Sequence, residues 1–178
     1  MTRFTRVVVV AGLTVVGSAM PSVHTSAQSR SGAQAQIVGA WLLQTRTVQS
    51  SSGEVLQDPV LGPQPIGRLV YDVSGVVMLT MMRLGRTQPI STPANPDDAG
   101  NARVILGYDA YFGTYSVDEG AGTVTHHVEG SLFPEDLGKD FTRSFTIAGD
   151  TFTLSFASTS PAGASVTRTL VFRRARSG

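Results

Sequence analysis

The chain contains no cysteine. Disulfides, a lipid-anchoring cysteine, thiolate zinc sites and a thiol nucleophile are all excluded, so the fold must rest on its apolar core. Other marks of chemistry are also missing. There is no Gly-x-Ser-x-Gly elbow, no phosphate-binding glycine loop and no His-Glu-x-x-His pair. No apolar run reaches the roughly 20 residues that a membrane-spanning helix takes. No long stretch repeats its apolar residues at 3.6, and there is no internal repeat. An excess of charge is lacking too. Fourteen basic residues face 13 acidic ones, and removal of Arg3 and Arg6 with a leader would leave 12. A near-neutral domain argues against nucleic acid as the partner, which usually demands a basic face.

What is present begins with Met1-Thr-Arg-Phe-Thr-Arg6, a short apolar stretch over Val7 to Val16, and small residues ending at Ala19 or Ala27. A charged start, an apolar centre and a small-residue cleavage zone are the layout of a secretory signal peptide. Residues 1–27 are therefore expected to be a signal peptide. Residues 28–36 should form a disordered Ser/Gln/Gly/Ala-rich leader, and 37–174 the folded domain of an exported, periplasmic or secreted protein with no stable membrane span once the signal is removed. About 140 residues are enough to bury a core without staples.

Short runs of alternating apolar and polar residues recur, separated by turn residues, a pattern that predicts an all-β protein. Strands are expected near 39–49, 66–72, 75–83, 107–117, 122–131, 140–147, 151–157 and 165–173. Asp72-Val-Ser-Gly75, Asp118-Glu-Gly-Ala-Gly122 and Ala148-Gly-Asp150 supply the reversals. Short turns favour an up-and-down meander, and eight such strands can close and remove their edges. The fold class expected is a single, approximately eight-stranded antiparallel up-and-down β-barrel, with a short helix or loop over one end. Two long segments break the pattern: the Pro-rich 57–65, and 86–106, where Asn95-Pro96-Asp97-Asp98 reads as a helix start. A segment as long as 86–106 could cover a barrel mouth or be a plain surface excursion.

Alternation also assigns faces. Trp41, Leu43 and Thr45 should share one side, with Gln44 and Arg46 on the other. Arg143 falls in line with Phe141, Phe145 and Ile147, and Arg168 with Val166, Leu170 and Phe172. A guanidinium on an apolar face either reaches solvent from a strand end or meets a carboxylate inside, from Glu129 or from an anionic ligand. Tyr111 and Tyr115 share a face across Gly113, and buried phenols need partners. Met78, Met81 and Met82 could line a cavity or simply fill the core.

Thr123-Val-Thr-His-His-Val-Glu-Gly-Ser131 holds two of the three histidines. Neighbours in a strand point to opposite faces, so His126 and His127 are poorly placed to share a metal, and no metal site is expected. Val124, His126 and Val128 form the apolar face, which makes His126 the interior histidine. His127 and Glu129 become an outer pair.

Several of these stretches together resemble a known family. Gly39-Ala-Trp41 with Arg173 in the last strand resembles the lipocalin pattern, in which the tryptophan closes one barrel end and the arginine packs across it. Gly67-Arg-Leu-Val-Tyr71, Ala110 to Asp118, Gly122 to Pro134, Arg143 and Gly149-Asp-Thr-Phe-Thr-Leu154 are similar to the lipocalin-like domain family of bacterial and fungal proteins. The resemblance runs from Ile37 to Arg174. It implies a small β-barrel with an internal cavity and, since such folds host carriers and a few enzymes, leaves function to the site. The segment between Arg86 and Gly100 departs from the family in being short and Gly/Pro-rich where a helix is expected.

The leading functional reading is a barrel that binds a small apolar or amphipathic molecule. His126, Arg143, Tyr111, Tyr115, Tyr71 and Arg168 form the candidate ligand-binding set, and Trp41 and Arg173 the structural closure. Two alternatives stay open. One is an isomerase, cyclase or hydratase using histidine as base, with Arg or Tyr steadying negative charge. The other is a filled barrel with no ligand. No cofactor is expected; haem on His126 or His127 is the minor exception.

Overall fold

A computed structural model of the protein describes residues 32–86, 106–160 and 162–176. The expected signal peptide, the start of the leader and the helix expected at Asn95 lie outside the described residues. The elements run α1 (Gly32–Ile37), β1 (Gly39–Ser50), β2 (Val55–Leu56), β3 (Pro65–Tyr71), β4 (Val76–Arg83), β5 (Tyr108–Asp118), β6 (Thr123–Ser131), a 3-10 turn (Pro134–Asp136), β7 (Asp140–Ala148), β8 (Thr151–Thr159) and β9 (Ser165–Arg174). All strand pairs are antiparallel. The order is β1-β3-β4-β5-β6-β7-β8-β9, and β9 returns to pair with β1. Eight strands thus close the barrel. β2, which alternation alone did not mark, adds two rungs to the far end of β1.

The strands alternate as an enclosed sheet must, and the core is the inward set. In β3 the inward residues Leu69 and Tyr71 are buried between exposed or half-buried neighbours. In β8, Phe152 and Leu154 are buried between Thr151, Thr153 and Ser155. Reversals fall where glycine permits a left-handed backbone. At Gly75 φ is +95°, while the Asp72 carboxylate accepts from the Ser74 amide at 2.7 Å.

Two bulges change the phase of the pattern. On β1, Leu43 pairs with Phe172 and Thr45 with Val171, so Gln44 is an extra residue. Beyond it the inward set is Arg46 and Val48 rather than Thr45, which is exposed. The outward position expected for Arg46 is thereby corrected. On β6, Phe112 pairs with Gly130 and Gly113 with Val128, leaving Glu129 as the extra, exposed residue. Gly113 is required there: a Cβ would stand 1.9 Å from the His127 carbonyl oxygen.

One barrel end is closed. Trp41 is fully buried, donates from Nε1 to the Ile37 carbonyl at 2.7 Å and packs on Phe152 with centroids 5.0 Å apart. The Arg174 guanidinium stacks 4.1 Å from the centroid of the indole and donates to the carbonyls of Val38 (2.9 Å) and Gln36 (2.6 Å). The arginine across Trp41 is therefore Arg174, not Arg173. Arg173 pairs with Leu42 and points to solvent, because it is out of phase with inward Phe172. The last leader residues are corrected as well, since 32–37 form α1 and set Ile37 into the core.

Candidate functional site

His126 sits in the middle of β6, opposite Tyr115 on β5 and Phe141 on β7, with no exposed surface. Both ring nitrogens are engaged. The Tyr71 hydroxyl lies 2.7 Å from Nε2, and the Tyr111 hydroxyl lies 2.7 Å from Nδ1. Arg143 on β7 places Nη1 3.3 Å from the same Nδ1 and donates to the Phe141 carbonyl at 3.1 Å. A guanidinium can only donate, so Nδ1 must hold its lone pair and the ring proton must lie on Nε2. Nε2 then donates to Tyr71, and the Tyr111 hydroxyl donates to Nδ1. Burial, and secondarily the charge of Arg143, holds the imidazole well below its ordinary pKa, so it is neutral. Burial pushes the Tyr111 phenol up to about 12, and the Tyr71 phenol is raised well above its usual range.

The sequence-predicted residues fall into separate places. His126, Arg143, Tyr111 and Tyr71 come together as one hydrogen-bonded cluster. Tyr115 is buried beside Tyr71, with rings 4.8 Å apart, and donates to the Asp72 carbonyl at 3.1 Å on the closed side of the barrel. Arg168 lies nearer the other end, where its Nη1 donates to Ser158 Oγ.

Beside the cluster, towards that other end, is a cavity of about 500 Å³. Leu79, Met81, Leu154, Leu170, Phe141 and Phe156 give it apolar walls, and Val60 and Leu61 of the Pro-rich loop reach it from above. Of the predicted set, Tyr111, Arg143 and Arg168 line the cavity; His126, Tyr71 and Tyr115 do not. His126 holds Tyr111 and Arg143 from behind. The Arg143 guanidinium also lies over three rings, 4.7 Å from the centroid of Phe156, 5.0 Å from Phe141 and 5.7 Å from Tyr111. Met81 is inward and lines the cavity, whereas Met78 is exposed on the outer face.

Four charged residues that line the cavity, Arg46, Asp109, Asp136 and Asp140, were not in the predicted set. Arg46 is turned inward by the Gln44 bulge and paired with Asp58, with side chains 9% and 3% exposed. Asp58 in turn accepts from the amides of Val60 (2.9 Å) and Leu61 (2.8 Å), fixing the loop. Arg83 binds the same loop from outside through the Pro59 carbonyl at 2.7 Å. Asp109 lines the cavity, and burial raises its carboxyl despite the opposing charges of Arg46, Arg143 and Arg168. Its position was available from alternation, since 109, 111, 113 and 115 share one face. Nothing in the sequence marks the bulge that brings in Arg46.

On the outer face, His127 takes Asp140 and Ser116 as partners, at 2.7 and 3.0 Å, rather than Glu129. Both partners are on neighbouring strands, and Glu129 has been displaced by its bulge. A Ser–His–Asp chain results, but its serine and histidine are exposed and do not line the cavity. No group of three or more metal-ligating side chains occurs among the described residues. With one lone pair taken and the other nitrogen protonated, His126 has no free nitrogen for a haem iron.

No described helix is long and apolar enough to cross a membrane. A comparison with curated proteins finds no match. The family model of the lipocalin-like domain matches residues 38–175, the whole barrel from β1 to the end of β9, and the chain belongs to that family of generally ligand-binding barrels.

Proposed function

We propose that the barrel binds a small amphipathic molecule, its apolar body between Leu79, Met81, Phe141 and Phe156 and its polar end towards Tyr111 and Arg143. The observation that carries this reading is the cavity itself. At about 500 Å³ it is of the size that holds small molecules, and it joins apolar walls to a few placed polar groups. The His126 cluster supports the reading indirectly, because it locks the orientation of the two polar side chains before any ligand arrives. An isomerase or cyclase with His126 as base gains no support. That ring lies behind Tyr111 with its lone pair already occupied. The chain is further proposed to act after export, as its charged and apolar leader suggests.

The test is titration of the purified protein with hydrophobic dyes and fatty acids, beside a Ser158→Trp variant that puts an indole into the cavity. Saturable one-to-one binding that the variant loses is the expected result. Failure of every probe to bind, or binding that Ser158→Trp leaves intact, would sink the proposal.

A further inference from the structure

Six charged side chains line the cavity. Three arginines line it, Arg46, Arg143 and Arg168, together with Asp109, Asp136 and Asp140. Most of these are already matched. Arg46 pairs with Asp58 beneath the loop, Asp136 with Lys139 at 3.2 Å, and Asp140 with His127. Arg143 and Arg168 have no carboxylate partner within 4 Å among the described residues. Asp109 has no ion pair within 4 Å among the described residues.

The two arginines also keep unused donors. Arg143 spends only Nη1, and Arg168 only Nη1, on protein acceptors. Arg168 Nε is buried with no acceptor among the described residues. Buried donors without partners are costly. Phe156 links the two sites: its backbone pairs with Arg168, and its ring lies under the Arg143 guanidinium. The two cationic heads therefore border the same apolar wall.

Resting on the reading of the cavity as a ligand site, we infer that its ligand carries a single negative charge, a carboxylate on an apolar body, seated against Arg143 and Arg168. A carboxylate supplies acceptors for the unused donors of both guanidiniums, Arg168 Nε among them. A planar carboxylate matches the guanidinium fork, and the apolar walls take the rest of the molecule.

The experiment is calorimetric titration of the full chain with decanoate, decanol and decylamine, which share a tail and differ in the charge of the head. Decanoate should bind about tenfold to a hundredfold tighter than the other two, the range a charge-assisted hydrogen bond supplies. Arg168→Gln should bring the acid-to-alcohol ratio towards one. Asp109→Asn, which removes the competing carboxylate, should raise the ratio, and it carries the test should Arg168→Gln fail to fold. Equal binding of acid and alcohol overturns the inference while the cavity reading stands. An acid preference that survives both Arg168→Gln and Arg143→Gln overturns the assignment to these arginines. No binding of any of the three overturns the cavity reading and the inference with it.

Discussion

The Tyr111 hydroxyl donates to Nδ1 of His126 across 2.7 Å, and so a residue at the cavity wall is held by one that never reaches the cavity. Arg143 shares that nitrogen and Tyr71 closes the other side of the ring. Such a buried polar chain is stabilising only while every member is satisfied.

Removing the phenolic oxygen of Tyr111 leaves Nδ1 to the longer contact with Arg143. Tyr111→Phe is expected to cost about 1–3 kcal/mol, the penalty of an under-satisfied buried group. Tyr71→Phe should cost a similar amount, and the double variant less than the sum, because both act through one ring. Urea unfolding of the four proteins measures this.

The neutral state of His126 makes folding sensitive to acid. Its pKa in the folded protein is lowered from 6.5, so the unfolded chain binds the proton more readily. The sign follows: the contribution is intact above about pH 6.5 and is lost as pH falls from there towards the depressed folded value. Stability should drop between pH 7.5 and 5, and His126→Gln, though less stable at pH 7.5, should drop less. A slope in that window equal to the parent's would show that His126 is not the group responsible.

The raised phenols give an optical signature. Of four tyrosines, Tyr71 and Tyr111 should stay un-ionised through pH 11 in the folded state. Alkaline difference absorbance should show these two phenols ionising only on unfolding. Full ionisation with the fold intact would contradict the burial of the cluster.

Gly113 admits the bulge at Glu129. Gly113→Ala would drive a Cβ into the His127 carbonyl and should destabilise the barrel by about 2–4 kcal/mol, read as a lowered melting temperature. The closed end offers the contrast. Arg174→Ala loses two carbonyl contacts and the stack on Trp41, and should cost about 1–2 kcal/mol and redden the emission of the single tryptophan. Arg173→Ala, on the exposed side of the same strand, should stay within about 0.5 kcal/mol.

Much of the barrel was determined by the sequence alone. Alternation in 65–71, 140–148 and 151–159, with Gly and Asp at the reversals, places strands to within a residue or two, because a strand with one buried face must repeat every second residue. The same rule turns His126 inward, separates it from His127, and puts Arg143 on the core side. It also held Asp109 beside Tyr111, and Arg174 rather than Arg173 in phase with Phe172.

Tertiary structure alone decided three things. Bulges at Gln44 and Glu129 depend on the partner strand's register, so only closure of the barrel shows that Arg46 faces in. The pairing of Arg46 with Asp58 joins a strand to a loop 12 positions on, through a loop conformation that no periodicity encodes. Whether the barrel is hollow rests on how side chains from eight strands fill one volume, and local pattern cannot sum that volume.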